Sequence, residues 1–347
     1  MKRFFINIIK RLIDFFQSAV LPSCSRSGFA ASFYFTFFSR DFYYEHKAIL
    51  KAKLAYSKNK GIHGKSSALL RRNIHRLEKG LIMRPRRNIF ALDYLLETLQ
   101  VYKSANEVEG FSEVELEWAK SVLNEYFTVV DCTHPQIAYA YEFYQGVKTV
   151  VGDNHTVKLP YIQANKAKHH ISYEQLMKLC SARRSTRWFK PQSVEGDKIN
   201  KAAAIALQAP SACNRQPYEF YVIKSQPLLS KLVDLPGGTA GFSGNIPCLI
   251  AVVGDLSYYP EARDRHVIYI DGALASMQFM LAVETLGLGS CPINWPELHT
   301  LDHKVSQLLE IPQYKRVVMF MAVGYPDESG HIAYSEKKPF ESTVITL

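Results

Sequence analysis

Residues 183–189 read Arg-Arg-Ser-Thr-Arg-Trp-Phe, and residues 209–218 read Ala-Pro-Ser-Ala-Cys-Asn-Arg-Gln-Pro-Tyr. The first stretch sets three guanidinium groups and the Ser185 hydroxyl within five residues, directly after a helix predicted over 172–182. The second is a loop of short polar side chains, entered through Pro210 and left into an apolar strand. Arginine offers a rigid fork of donors to a phosphate or a carbonyl edge. Asn and Gln both donate and accept, which suits a ring edge that carries an N–H beside a C=O. An anionic, planar, heteroatom-rich ligand needs both kinds of partner.

Three further elements follow in order: Gly287-Leu-Gly-Ser-Cys-Pro-Ile293, Ala322-Val-Gly-Tyr-Pro326 and Lys337-Lys338-Pro339. With the two opening stretches they give residues 170–347, about half the chain, a sequence that resembles the FMN-dependent nitroreductase family. The resemblance implies an α+β fold, a nitroreductase-like mixed central sheet flanked by helices, over 169–347. It implies FMN as cofactor and NADH or NADPH as electron donor. Arg183, Arg184 and Ser185 are then expected at the phosphate and ribityl end, and Arg187 and Asn214 at the pyrimidine edge. Pro210, Ser211 and Gln216 are expected around the ring or ribityl chain. Gly289, Ser290, Pro292 and Ile293 are expected to pass over the flavin through backbone atoms, with Lys337 reaching the phosphate. It further implies a homodimer with the FMN site at the subunit interface, along a helix matching 266–286. The reaction implied is ping-pong hydride transfer through flavin N5 to a small electron-poor acceptor, a nitro compound, a quinone or a pathway-specific substrate. No side chain is expected to serve as catalytic acid or base.

Other chemistries find no pattern. There is no Gly-x-Ser-x-Gly, no His-Glu-x-x-His, and no Gly-x-Gly-x-x-Gly after a strand, so hydrolase and dinucleotide-binding Rossmann readings lack their motifs. Cysteines 24, 132, 180, 213, 248 and 291 are scattered without Cys-x-x-Cys spacing, so neither a metal site nor a disulfide framework is expected, and a cytoplasmic location is.

Charge is unevenly placed. Residues 1–90 hold 19 of the 42 Lys and Arg but 4 of the 32 Asp and Glu, a net of +15, which leaves −5 over 91–347. Such asymmetry suits contact with a polyanion or an anionic membrane surface. Phe5, Ile8, Ile9, Leu12, Phe16 and Val20 fall at helical spacing, with Lys2, Arg3, Lys10 and Arg11 elsewhere on the wheel. That helix either lies in a headgroup region at the inner membrane face, as in a protein of cell-envelope or polysaccharide biosynthesis, or packs on its own protein. The dense basic run Arg71–Arg87 either is a solvated helix face or receives an anionic substrate. No zinc finger, helix-turn-helix or RNA-recognition pattern points to nucleic acid. A different reading altogether is a catalytically silent binding or scaffold protein acting through this basic region.

The remaining periodicities predict a mostly helical region over 1–168, with helices over 29–56, 91–103 and 112–130. Ser66 or Ser67 is the expected N-cap and Gly80 the expected C-cap of a further helix, and a polar linker is expected over 152–168. In 169–347, strands are predicted at 218–224, 248–254 and 317–323, and a buried helix over 266–286.

Overall fold

The computed structural model describes residues 20–39, 41–59, 61–152 and 157–346. The amphipathic helix expected over 2–20 lies, save for Val20, outside the described residues. By contacts the chain groups into two compact units, Met1–Leu50 and Lys51–Leu347. The expected boundary at 168/169 falls within the second unit, where it separates the apolar core that ends at Val151 from those that begin at Phe189 and Val194.

In the first unit, α1 (Gly28–Phe37) starts on Ser27, whose hydroxyl accepts from the Ala30 N–H. Tyr34 is buried, but Phe29, Phe33, Phe37 and Phe38 stay exposed. The sequence predicts one helix over 29–56; two are observed, because Ser39 and Asp41 hydrogen-bond each other at 2.5 Å and compete with the helical ladder. The second, α2 (Tyr43–Asn59), runs on into the next unit.

There a two-residue ladder pairs β1 (Ile62–His63) with β2 (Ser66–Ser67), and Ser67 caps α3 (Ala68–Leu81) by accepting from the Leu70 N–H at 3.1 Å. Leu70, Ile74 and Leu77 recur every three or four residues and are fully buried. Each contributes about 1.5–3 kcal/mol by leaving water. Gly80 is not the C-cap: α3 continues through it to Leu81. Its missing side chain instead admits the Phe90 ring, since a Cβ there would sit 2.2 Å from Cε2. The next helix, α4 (Leu95–Glu107), begins four residues later than predicted because Ala91 takes a left-handed φ of 66°. α5 (Glu113–Val129), capped by Ser112, and α6 (Pro135–Gln145) complete this helical layer around Leu99, Leu123, Tyr126 and Ile137.

The second half opens with α7 (Tyr173–Ala182), where Ser172 and Gln175 form a reciprocal capping box. Then follow α8 (Gly196–Ala206), β3 (Tyr218–Ile223), α9 (Leu228–Val233), β4 (Cys248–Asp255), α10 (Val267–Thr285), β5 (Gly289–Asn294), α11 (His299–Leu308) and β6 (Lys315–Gly324). The sheet has the order β3-β4-β6-β5 with antiparallel neighbours throughout. A parallel bridge from Ser185 to Ser290 adds the one contact of opposite sense beside β5 among the described residues. β4 is buried along its whole length: Leu249, Ala251 and Val253 enter one core, Cys248, Ile250 and Val252 the other. A strand covered on both faces reads as a continuous apolar run, which is why it was legible. β5 was not predicted. It carries Pro292, which a sheet admits at its edge, and β5 is the edge strand.

Beyond the β1–β2 ladder, His63 stacks on Tyr258 at 4.3 Å. The Ser257 hydroxyl donates to Asp255 Oδ1 at 2.5 Å, and its oxygen lies 3.4 Å from His63 Nδ1. Burial, helped by the Lys315 charge, lowers His63 from 6.5 to about 4. Burial likewise raises Asp255 from 3.8 to about 6. The two act oppositely on stability. His63 contributes stability above pH 6.5 that is lost as pH falls through about 4; Asp255 contributes stability below pH 3.8 that is lost as pH rises through about 6. Replacing His63→Phe keeps the stack and removes one side of this balance. The melting temperature of the variant relative to wild type is therefore expected to climb as pH falls from 6.5 towards 4. A difference that does not change with pH contradicts the assignment.

Candidate functional site

Three segments meet at the β5 edge of the sheet. α7 ends at Ala182, and the chain leaves it extended through Arg183. Ser185 then bridges Ser290, and the Thr186 N–H donates to the Ser290 carbonyl at 3.0 Å. Gly289 makes this approach possible: a Cβ there would lie 2.8 Å from Thr186 Cβ. The glycine thus admits the arginine segment, and not only a ligand as its sequence context suggests. Asn245 pins the far end of the segment, accepting from the Phe189 N–H at 3.1 Å and donating to the Arg187 carbonyl at 2.6 Å.

Two polar atoms here are buried without a protein partner, Arg183 Nε and Ser290 Oγ. Arg184 and Ser185 are half-buried beside them, while the Arg187 side chain is exposed, 5.9 Å from the Phe242 ring. Along β5, Pro292 faces out, whereas Ile293 faces into the apolar core and offers only its backbone. Burial raises the Cys291 thiol above its ordinary range, despite Arg187 and Arg183 nearby. That makes Cys291 a neutral filler.

The 209–217 loop is held from three sides. The Ser211 carbonyl and hydroxyl accept from the N–H groups of Asn214 and Gln216, both at 3.0 Å. Asp271 of α10 accepts from the Ala212 N–H at 3.0 Å and from the Tyr259 hydroxyl at 3.3 Å. Arg71 of α3 donates through Nε to the Asn214 carbonyl at 2.8 Å and through Nη2 to Gln216 Oε1 at 3.0 Å. Gln216 Nε2 donates to the Leu207 carbonyl at 3.1 Å, so both ends of that amide are engaged within the protein. The Asn214 amide makes no hydrogen bond to the described residues. Pro210 is exposed at the loop entrance.

Lys337 lies in an exposed tail, where its N–H donates to Glu336 Oε1 at 2.8 Å; among the described residues its side chain meets none of the other candidates. Concavities of about 590, 650 and 520 Å³ lie elsewhere, the first lined by Lys51, Lys58 and His303 and the last by Arg84, Arg86 and Arg87. No group of three or more His, Cys, Asp or Glu able to hold a metal occurs among the described residues. Asp271 and Asn245 escaped the sequence reading, and Arg71 appeared there only within a basic run, with no link to this loop. Nothing local marks these contacts, because each reaches a segment 56 or more residues away.

The sequence pattern of the Nitroreductase family matches residues 180–325. The chain is 30% identical over 161 residues, 45% of its length and 87% of the relative, to an Archaeoglobus fulgidus protein named as a candidate NADH dehydrogenase/NAD(P)H nitroreductase. A Methanothermobacter thermautotrophicus protein named in the same way is 24% identical over 163 residues, 46% of this chain and 81% of that one. Among solved structures, an FMN-dependent nitroreductase from Clostridium difficile R20291 is 26% identical, with 49% of this chain and 99% of that chain covered at a TM-score of 0.43.

Proposed function

Because the chain belongs to the nitroreductase family, we propose that it is an FMN-dependent oxidoreductase that carries electrons from NADH or NADPH to a small electron-poor acceptor in two half-reactions. The observation behind the reading is the pair of buried polar atoms without hydrogen-bond partners among the described residues, Arg183 Nε at the end of α7 and Ser290 Oγ on β5. Leaving such a group unsatisfied costs about 1–3 kcal/mol, which a bound phosphate or polyol would offset. Arg183, Arg184 and Ser185 would hold the phosphate and ribityl end, and the uncommitted Asn214 amide the pyrimidine edge. When bound, FMN supplies hydride acceptance and release at N5. Arg187 contributes fixed positive charge beside the edge where reduction leaves negative charge. The acceptor is a nitro compound, a quinone or an anionic pathway substrate.

The same reading makes the protein a homodimer. α10 exposes Ile270, Leu274 and Met277 on one face, at 58%, 44% and 39% of their area, while Ile268, Ala275 and Phe279 are buried. Helical spacing puts the exposed three in a single stripe, suited to a second copy. In the first unit, the exposed aromatic side chains of α1, within a strongly basic region, suit the surface of an anionic membrane.

Purified protein is expected to show oxidised-flavin absorption, or to acquire it from added FMN, and to bleach anaerobically with NADH or NADPH. A colourless protein that takes up no FMN contradicts the reading. Leu274→Glu is expected to convert a dimer to monomer in light scattering and to lower flavin content with it; a wild-type monomer overturns the interface. Sedimentation with phosphatidylglycerol vesicles, reduced at high salt and lost in Phe33→Asp/Phe37→Asp, tests α1. Equal sedimentation of that variant rejects the membrane contact.

A further inference from the structure

We infer that Arg71, on a helix outside the residues that match the family, is the positioning residue that sets the 211–216 loop in its ligand-ready shape. The inference rests on the reading of that loop as part of an FMN site.

Cys213, Asn214 and Gln216 adopt φ values of 53°, 52° and 52°. None is glycine, and a left-handed backbone costs an L-residue on the order of 1–2 kcal/mol. Three such residues among four therefore need outside support. Ser211 and Asp271 fix the start of the loop through the N–H groups of Asn214, Gln216 and Ala212. The acceptors of its second half are held by Arg71 alone among the contacts seen in the described residues: one guanidinium plane donates to the Asn214 carbonyl at 2.8 Å and to the Gln216 side chain at 3.0 Å.

That plane is itself fixed. Arg71 Nη1 donates to Glu115 Oε2 at 3.2 Å, and Glu115 is nearly fully buried. The Glu115 carboxylate also accepts from the Ser67 N–H at 3.0 Å and the Ser66 hydroxyl at 2.6 Å, the residues that begin α3. The Trp118 ring lies 5.6 Å from the guanidinium carbon. The cap of α3, the first turn of α5 and the 211–216 loop are therefore joined through the Arg71–Glu115 pair. A lysine has a point charge and three donors on one atom, so it cannot reproduce a fork aimed at three separated acceptors. With Gln216 taken up as a strut, the side chain left open on this loop is the Asn214 amide, and Arg71 sets its direction by gripping its own carbonyl.

Full-length wild type, Arg71→Met and Arg71→Lys are compared in two measurements. Hydrogen exchange on peptides covering 209–217 reports the loop without any cofactor, through the bonded N–H groups of Ala212, Asn214 and Gln216. Titration with FMN reports the site. Arg71→Met is expected to speed loop exchange and weaken FMN binding, each about tenfold or more, as loss of a charged hydrogen-bond donor implies. Exchange in the 248–255 strand stays unchanged, and Arg71→Lys falls between. Faster loop exchange in a protein whose wild type binds no FMN supports the brace and ends the flavin reading instead. Loop exchange equal to wild type in Arg71→Met overturns the inference, whatever the flavin does. If Arg71→Met does not fold, the same equality in Arg71→Lys overturns it.

Discussion

A loop that must hold three non-glycine residues in left-handed backbone is the constraint around which this site is organised. Its internal bonds, from the N–H groups of Asn214 and Gln216 to Ser211, close the turn but leave the Ala212 N–H and the Asn214 carbonyl unmet. Asp271 from α10 and Arg71 from α3 supply the rest from opposite ends of the sequence. The helical layer that precedes the family-like region thus holds this loop through Arg71. Its own core around Leu70, Ile74 and Leu123 matters because it fixes where Arg71 stands.

The segment beside β5 shows the same logic in a strand. Gly289 lets Thr186 come close enough for Ser185 to bridge Ser290, and Asn245 holds the exit at Arg187 and Phe189. The cost of this arrangement is a guanidinium nitrogen and a hydroxyl left buried without partners. Both lie where the arginine segment meets β5, which is where the proposed reading puts the polar end of its ligand.

Much of this was legible in the sequence. The Arg-Arg-Ser-Thr-Arg run and the Pro-Ser-Ala-Cys-Asn-Arg-Gln loop carry the resemblance to the family whose pattern matches residues 180–325. β4 and β6 declared themselves as apolar runs, and Ser67 as one of two expected caps. What escaped has a common cause, in that it depends on partners distant along the chain. Pro292 argues locally against a strand, and only the edge position of β5 excuses it. Gly80 looks like a helix end until Phe90 is seen against it. The apolar surround of α10 concealed that Ile270, Leu274 and Met277 face outward. Arg71 sat in a basic run that reads as a solvated face or a receiver of an anionic substrate, with nothing to link it to a carbonyl 143 residues on.

The most direct measurement of the account is a double-mutant cycle on FMN affinity with Arg71→Met, Gln216→Leu and the double variant. If one guanidinium sets the loop through Gln216 and Asn214, the double variant binds FMN no more weakly than Arg71→Met alone. The coupling energy should then fall at about 0.5–3 kcal/mol, as for residues in one hydrogen-bonded network. If the two losses simply multiply, Arg71 and Gln216 act independently, and the helical layer does not set the site.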